Sequence, residues 1–228
     1  MGIETSSAQG GLALVCGGMT AAEGIIDTHF EHSSRLICVL DRILASAGWR
    51  VEEIEAVGVG LGPGSFTGIR VGLATAKGLA YALKIPIYGV GSLLALAKAS
   101  RRDGAGIATV ARARRGWYYY ALFRGKGEEL EEAVSPRLIE ERELVEIPAR
   151  AWIVSPKWEE IRRELRAQGR RSPRGENLFP SPSAVARRAE AKASASLPSE
   201  ADRIEPVYLS DWPAPRPPKP RIAQNRLK

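Results

Sequence analysis

A glycine-rich junction between a predicted strand and a predicted helix is the first place where this sequence could do chemistry. The segment GLGPGSFTG, residues 60–68, follows a short apolar run and precedes a stretch with helical periodicity. Backbone N–H groups at such a junction can hold a phosphate. The segment has neither the Gly-Lys-Ser/Thr of a P-loop nor the G-x-G-x-x-G pattern of dinucleotide-binding proteins. A phosphate site and a simple tight turn therefore both stay open.

A second polar turn, ETSSAQGG at residues 4–11, joins two apolar runs and could also hold phosphate. The two turns together supply the candidate nucleotide-binding residues, which are Glu4, Thr5, Ser6, Gly62 and Gly64.

The sequence gives little support for a metal site or for catalytic residues. His29 and His32 are three residues apart, but no cysteine or carboxylate cluster accompanies them, so no metal site is expected. Ser33 follows His32 directly, and neighbours on a helix do not face each other, so no catalytic residue is predicted.

The elements that position these turns alternate between strand and helix. The first hundred residues contain a hairpin, a third strand, a helix at 32–48, a strand, a helix at 67–83, a further strand and a short helix. A second region of strands and helices follows a boundary near RRDGAG, and the chain ends in a basic segment with five prolines between residues 211 and 220. We predict an α/β protein with three parts: residues 1–103, 104–210 and a tail at 211–228.

The helix predicted at 67–83 carries an unusual amount of glycine. Each internal glycine costs about 1 kcal/mol of helix stability relative to alanine. Projected at 100° per residue, small side chains share one face, which comprises Gly68, Gly72, Thr75, Ala76, Leu79 and Ala82. Such a face lets another backbone approach closely. The approaching backbone could belong to this chain's own sheet or to a second protein chain, and the pattern favours neither.

Composition sets the broad class. The chain has 228 residues, 44% of them hydrophobic and 26% charged, which is typical of a soluble globular protein. The net charge of +7 permits contact with nucleic acid without requiring it. The segment MGIETSSAQGG does not resemble a signal peptide, and no membrane span is predicted. The two cysteines, Cys16 and Cys38, lack metal-ligand spacing and are expected to be reduced thiols of a cytoplasmic protein.

Three segments carry a resemblance to a known family. FEHSSRL, GPGSFTGIRVGLATAKGLAYAL and IPIYGVGSLLALA closely resemble the bacterial TsaB family, also called YeaZ. The resemblance is strong from residue 1 to about residue 98 and weaker through ARARRGWYYYALF. It implies an actin-like, sugar-kinase-like architecture of two related α/β lobes with a ribonuclease-H-like core. It also implies a role in making threonylcarbamoyladenosine on tRNA, next to the anticodon.

The resemblance further implies partners. TsaB is a supporting, non-catalytic subunit that forms a heterodimer with its catalytic paralogue TsaD, and the ATPase TsaE joins them, so that tRNA is met through the complex. Related pairs join through their first two helices, which match residues 32–48 and 67–83 here, and the glycines would then thin a helix that another chain contacts. A homodimer through the same surface stays open. The predicted interface residues are His32, Arg35, Leu36, Val39, Gly68, Gly72, Thr75, Ala76 and Leu79.

The sequence also departs from its relatives. The actin-like class places an aspartate on the first strand to manage nucleotide and metal, and here that position is Glu4. TsaB relatives often carry an aspartate where this chain has Arg112, and the metal-binding histidines of TsaD are missing. These departures predict no tightly bound cofactor, with ATP or ADP expected at most at the partner interface. The alternative is an independent nucleotide-hydrolysing enzyme of the actin-like class.

A basic run on and just after the first predicted helix of the second region is the last candidate site. It includes Arg166, Arg170 and Arg171 within residues 162–174. Such a run is either a solvated helix face or a set of contacts to tRNA phosphates. The sequence leaves both interpretations open.

Overall fold

The computed structural model describes residues 1–27, 33–100, 102, 106–125 and 130–209, with residues 33 and 34 described by their backbone alone. His29 and His32 therefore lie outside the described residues. So do the predicted boundary at residues 103 and 104 and the proline-rich tail at 211–228.

The first lobe is built on a five-stranded sheet. Its strands are β1 (Gly2–Glu4), β2 (Gln9–Cys16), β3 (Met19–Asp27), β4 (Val57–Gly60) and β5 (Ile87–Val90). They stand in the order β3-β2-β1-β4-β5. The first three strands are antiparallel, whereas β4 runs parallel to both β1 and β5. The predicted opening hairpin and third strand are confirmed.

The second lobe repeats this topology. Its strands are β6 (Ile107–Arg114), β7 (Trp117–Arg124), β8 (Glu131–Glu140), β9 (Trp152–Ser155) and β10 (Gly175–Asn177). They stand in the order β10-β9-β6-β7-β8, with β6, β7 and β8 antiparallel and β9 parallel to both β6 and β10. The same strand order in both sheets confirms the prediction of two related α/β lobes.

Helices cover both faces of the first sheet. The described residues form five α-helices, which are α1 (Ser33–Ala47), α2 (Phe66–Leu83), α3 (Ser92–Ala99), α4 (Trp158–Ala167) and α5 (Pro182–Ser194). Of these, α1, α2 and α5 pack on the first sheet, whereas α3 and α4 pack on strands of the second. Helix α1 packs on β2 and β3, and α2 packs beside it on β1 and β4, so both lie on the same face. Apolar side chains at helical spacing, such as Leu36, Leu40 and Ile43 of α1, pack with Ile3 and Leu12 in the first core.

Helix α5 covers the opposite face of the first sheet. It packs across β2, β1, β4 and β5, although it follows the second lobe in the chain. Gly58 of β4 allows this close approach, since a methyl group there would lie 2.7 Å from the Val185 carbonyl oxygen. The range predicted for the second lobe, 104–210, thus ends in a helix that packs on the first. The periodicity of residues 182–194 identifies a helix but not the sheet that it covers.

The segment after α5 continues around the edge of the first sheet. The Glu200 N–H donates to the Ile87 carbonyl at 2.9 Å, and the Glu200 carboxylate accepts from the Gly89 N–H at 2.7 Å. Ile204 is buried in the first core, and the Val207 N–H donates to the Leu61 carbonyl at 2.8 Å. The chain therefore crosses from the α5 face to the start of α2. None of the described helices is long and apolar enough to cross a membrane.

Candidate functional site

The glycine-rich loop between β4 and α2 is held by hydrogen bonds within the chain. Gly62 has a φ of +90°, which favours glycine, and its N–H donates to the Ser92 hydroxyl at 3.0 Å. The Ser65 N–H donates to the Ser6 carbonyl at 2.7 Å. The Ser65 hydroxyl caps α2 by accepting from the Gly68 N–H at 3.2 Å. These three N–H groups would have to leave their present partners before they could bind a phosphate.

The Glu4 carboxylate lies beneath this loop. It accepts from the Ser6 N–H at 2.7 Å and from the Ser92 hydroxyl at 2.9 Å. Complete burial raises the pKa of Glu4 above its usual value, and the hydrogen bonds from Ser6 and Ser92 oppose that shift. A methyl group on Gly60 would overlap the carboxylate, so this strand position must be glycine. The acid on the first strand therefore points into the protein interior.

The five residues predicted to bind nucleotide do come together in space. Glu4, Thr5 and Ser6 are buried, and they pack directly against the loop that contains Gly62 and Gly64. The Thr5 hydroxyl donates to the Gly68 carbonyl at 2.7 Å. The cluster is thus a packed junction that ties β1 to α2, and nucleotide binding by these residues stays a prediction.

The same junction explains two of the three helix glycines. A methyl group on Gly68 would overlap the Thr5 carbonyl oxygen, and one on Gly72 would overlap the Thr5 hydroxyl. The interpretation that these glycines face another protein chain is therefore wrong: they allow α2 to sit close to the chain's own first strand. Gly78 differs, because no atom lies within 4 Å of the position that its methyl group would take.

Several other residues predicted for the partner interface are also inside the protein. Leu36, Val39 and Ala76 belong to the first core, with exposures of 0%, 5% and 0%. This part of the prediction is corrected. Helical projection gives the angle between side chains but not which side of the helix faces the sheet. Thr75 and Leu79 are half-buried, and Arg35 is exposed.

The exposed side of the α1–α2 pair consists of different residues. Tyr81 is 88% exposed and Ile37 is 48% exposed, which is unusual for side chains of this size and polarity. We call this exposed side the helix-pair surface. Its members on α1 are Ile37, Cys38 and Asp41, and those on α2 are Arg70, Ala74, Lys77, Gly78 and Tyr81. Tyr81 could have been noticed in the sequence as an aromatic residue within the polar face of α2.

The basic run on α4 divides into structural and exposed residues. Arg170 donates to the carbonyls of Ile147, Pro148 and Ala149 at 3.0–3.1 Å. Burial lowers the pKa of Arg170, and its guanidinium group is committed to holding the neighbouring loop. These hydrogen bonds give Arg170 a structural role, and contact between Arg170 and tRNA stays a prediction. Arg166 and Arg171 are exposed, and for them tRNA contact stays a prediction.

A pocket of about 340 Å³ lies where the two lobes meet. The first lobe contributes Gln9, Glu23 and Ile25, and the segment after β10 contributes Phe179 and Ser181. The Glu23 carboxylate accepts from the Ser183 N–H at the start of α5, at 3.2 Å. Sequence reasoning missed this pocket, because its walls are far apart in the chain. Within the described part of the chain, no group of three or more His, Cys, Asp or Glu could hold a metal ion.

Comparison with known proteins places these features in context. The family model described as "TsaD: tRNA N6-adenosine threonylcarbamoyltransferase" matches residues 26–191. The tRNA threonylcarbamoyladenosine biosynthesis protein TsaB of Escherichia coli K12 is 34% identical over 133 residues, which are 53% of this chain. The protein of the same name from Bacillus subtilis 168 is 35% identical over 134 residues, or 59% of this chain. This chain spans 58% of the length of each of these two relatives.

A solved structure matches over a larger part of the chain. YeaZ from Pseudomonas aeruginosa superposes with a TM-score of 0.77 at 25% identity, covering 91% of this chain and 97% of that one. The superposition and the repeated sheet order confirm the predicted actin-like fold of two lobes.

Proposed function

Because the chain belongs to the TsaD family, on the TsaB/YeaZ branch of it, we propose that it acts in the biosynthesis of threonylcarbamoyladenosine on tRNA. Its role there is that of a non-catalytic subunit that pairs with a TsaD-type catalytic chain, with a TsaE-type ATPase joining the pair. The observation that carries the proposal is the helix-pair surface, on which a nearly fully exposed tyrosine stands among small and basic residues.

The helix-pair surface has the composition of a protein contact. Tyr81 offers a large apolar area with a polar tip, and tyrosine is enriched among the residues that dominate binding energy. Ala74 precedes Tyr81 by two turns, and Gly78 is open to solvent, so a partner helix can approach the α2 backbone closely. Arg70 and Lys77 flank this strip with positive charge, which suits an acidic partner helix.

The buried carboxylate of Glu4 supports a non-catalytic role. A carboxylate that manages nucleotide or metal must reach the cleft, whereas Glu4 accepts hydrogen bonds beneath the loop and lies in the interior. Arg112, where relatives often carry an aspartate, is ion-paired with Glu160. We therefore expect the isolated chain not to hydrolyse ATP. Measurable turnover that depends on Glu4 would instead favour the independent nucleotide-hydrolysing enzyme.

The proposal is tested by co-purification with the TsaD-type protein of the same organism, followed by a tRNA modification assay with and without this chain. Tyr81→Ala should weaken pairing by about 30-fold or more, the loss typical of a hot-spot residue. Met19→Ala is the matched control, because Met19 is 75% exposed and begins β3, so it belongs to neither helix. Unchanged pairing in Tyr81→Ala, or an equal loss in Met19→Ala, would refute the helix-pair surface as the interface.

A further inference from the structure

The hairpin formed by β6 and β7 ends in a basic turn beside an aromatic ring. The turn residues Arg114 and Arg115 are exposed, and the turn closes at Gly116 with a φ of +75°. The register shifts between Arg112 and Arg114, and this bulge sets Arg114 opposite Trp117. The guanidinium carbon of Arg114 lies 5.1 Å from the centre of the Trp117 ring. The bulge thus places a positive charge against an aromatic ring at the tip of the hairpin.

A second aromatic residue lies on the same face of the sheet. Tyr119 follows Trp117 by two positions in β7, and side chains two apart in a strand point to the same face. Its neighbour in β8 is Leu138, which adds apolar surface. Burial raises the pKa of Tyr119 and the positive charge of Arg114 opposes that shift, so Arg114 lies near both rings. We call Arg114, Arg115, Trp117 and Tyr119 the hairpin patch.

The hairpin patch extends beyond the helix that covers this face of the sheet. Helix α3 packs where Ala121 and Phe123 join Leu96 in an apolar cluster, and Tyr119 lies at the border of that cluster. Trp117 is four positions before Ala121 in β7, about 13 Å away along the strand. It belongs to none of the apolar clusters of the described residues. Trp117 and Tyr119 are half-buried, so part of each residue is open to solvent.

The positive charges of the hairpin patch are not neutralised by the protein itself. Within the described part of the chain, neither Arg114 nor Arg115 forms an ion pair. Glu140 stands opposite Trp117 in the register, but its carboxylate is paired with Arg142 at 2.7 Å. Two aromatic residues on an open sheet face, beside unpaired arginines, are the groups on which unpaired nucleic-acid bases stack while their phosphates meet the positive charge.

We propose that Trp117 and Tyr119 stack unpaired bases of a single-stranded RNA segment, and that Arg114 and Arg115 contact its phosphates. The two aromatic residues are about 7 Å apart along β7, which suits two bases of an extended strand. Paired RNA keeps its bases stacked inside the helix and offers them no free face. The inference rests on the proposed function in one respect, namely that the RNA is the tRNA on which the complex acts.

The experiment measures binding of the full chain to a fluorescent RNA hairpin with an unpaired loop, and to a fully paired RNA of equal length. The wild type should prefer the loop. Trp117→Ala and Tyr119→Ala should each weaken loop binding by roughly five- to hundred-fold, the effect of losing one stacked base. Tyr119→Phe keeps the ring and should retain most of the affinity. Tyr81→Ala is the matched control, an exposed aromatic residue of the first lobe, and should leave RNA affinity unchanged.

Charge variants test the same site without removing a packed ring. Arg114→Gln and Arg115→Gln change exposed side chains, so both proteins should melt at the wild-type temperature. Each should reduce the slope of log affinity against log salt by roughly 0.7, the value for one phosphate contact on a single strand. Arg150→Gln is the matched control, because Arg150 is an exposed arginine elsewhere in the second lobe, and it should leave the slope unchanged.

Four results would overturn the proposal. They are equal affinity of the wild type for loop and paired RNA, unchanged loop binding in folded Trp117→Ala and Tyr119→Ala proteins, an unchanged salt slope in both arginine variants, and equal competition by polyglutamate and unlabelled loop. The last would mean that the hairpin patch binds charge alone. If both alanine variants fail to fold, the arginine variants still decide. RNA affinity is measured without the partner, so failure of Tyr81→Ala to affect pairing would count against the proposed function alone.

Discussion

Gly72 and Gly78 of α2 form a matched pair from which the packing argument makes opposite predictions. Both lie in the same helix, and replacing either with alanine gains about 1 kcal/mol of intrinsic helix stability. The surroundings differ. A methyl group on Gly72 would overlap the Thr5 hydroxyl, with the Thr5 Cβ at 3.5 Å and the Ile3 Cγ2 at 3.6 Å, whereas one on Gly78 would meet nothing within 4 Å.

The magnitude follows from two unfavourable effects and one favourable one. Overpacking in a tight core costs about 1–3 kcal/mol, and displacing the Thr5 hydroxyl from the Gly68 carbonyl leaves a buried polar group unsatisfied at a further 1–3 kcal/mol or so. After the gain in helix stability, Gly72→Ala should lower the free energy of unfolding by roughly 1–5 kcal/mol. Gly78→Ala should raise it by about 1 kcal/mol.

The assay is urea unfolding followed by circular dichroism, with thermal melting as a second measure. For a protein of this size, 1 kcal/mol corresponds to about 2–4 °C in melting temperature. Thr5→Ala in the Gly72→Ala background should recover part of the loss, because it removes the group that the new methyl overlaps. If Gly72→Ala is as stable as Gly78→Ala, then α2 does not pack on Thr5, and the glycines require another explanation.

Two further predictions concern buried or committed charges. Because burial raises the pKa of Glu4, its favourable contribution is complete below the unfolded value of 4.5 and is lost as pH rises through the folded pKa. The free energy of unfolding of Glu4→Gln, minus that of the wild type, should therefore increase between pH 5 and pH 8, measured by urea unfolding; a flat difference would mean that Glu4 does not titrate abnormally. Arg170→Ala should cost about 1–3 kcal/mol through the carbonyls it leaves unpaired, whereas Arg166→Ala and Arg171→Ala should stay within about 0.5 kcal/mol. Equal melting temperatures for the three variants would contradict the structural role of Arg170.

The sequence was sufficient to predict the helices and strands that are marked by a local pattern of apolar residues. Helix α1 was predicted at 32–48 and spans Ser33–Ala47, because its apolar residues repeat at helical spacing wherever the helix packs. Strand β8 was missed for a physical reason. It is the edge strand of the second sheet, so its sequence, EEAVSPRLIE, tolerates charges and a proline that a central strand would exclude. Strand β10 has only three residues and no pattern to detect.

The candidate site was predictable in position but not in orientation. The glycine-rich loop and the first-strand acid meet as expected, since both follow neighbouring parallel strands. The inward orientation of Glu4 depends on contacts between residues about 90 or more positions apart in the chain. The return of the 197–209 segment to the first lobe, after α5, depends on contacts of the same long range. The hydrogen bond between Arg70 and Tyr208 is a similar case: the two residues are 138 positions apart in the chain, and no local pattern links them.

Because Gly68 and Gly72 pack against the chain's own first strand, they affect the proposed partner interface indirectly. Gly68 and Gly72 hold α2 against Thr5 and thereby fix the rotation of the helix about its axis. That rotation determines which residues point outward, and it turns Tyr81 and Phe66 toward solvent. The glycines would then act on partner binding only through folding. Gly72→Ala should accordingly lower the amount of binding-competent protein, measured by stoichiometric binding titration with the TsaD-type partner, while the affinity of the folded fraction stays at the wild-type value. A weaker intrinsic affinity at full folding would show instead that Gly72 touches the partner directly.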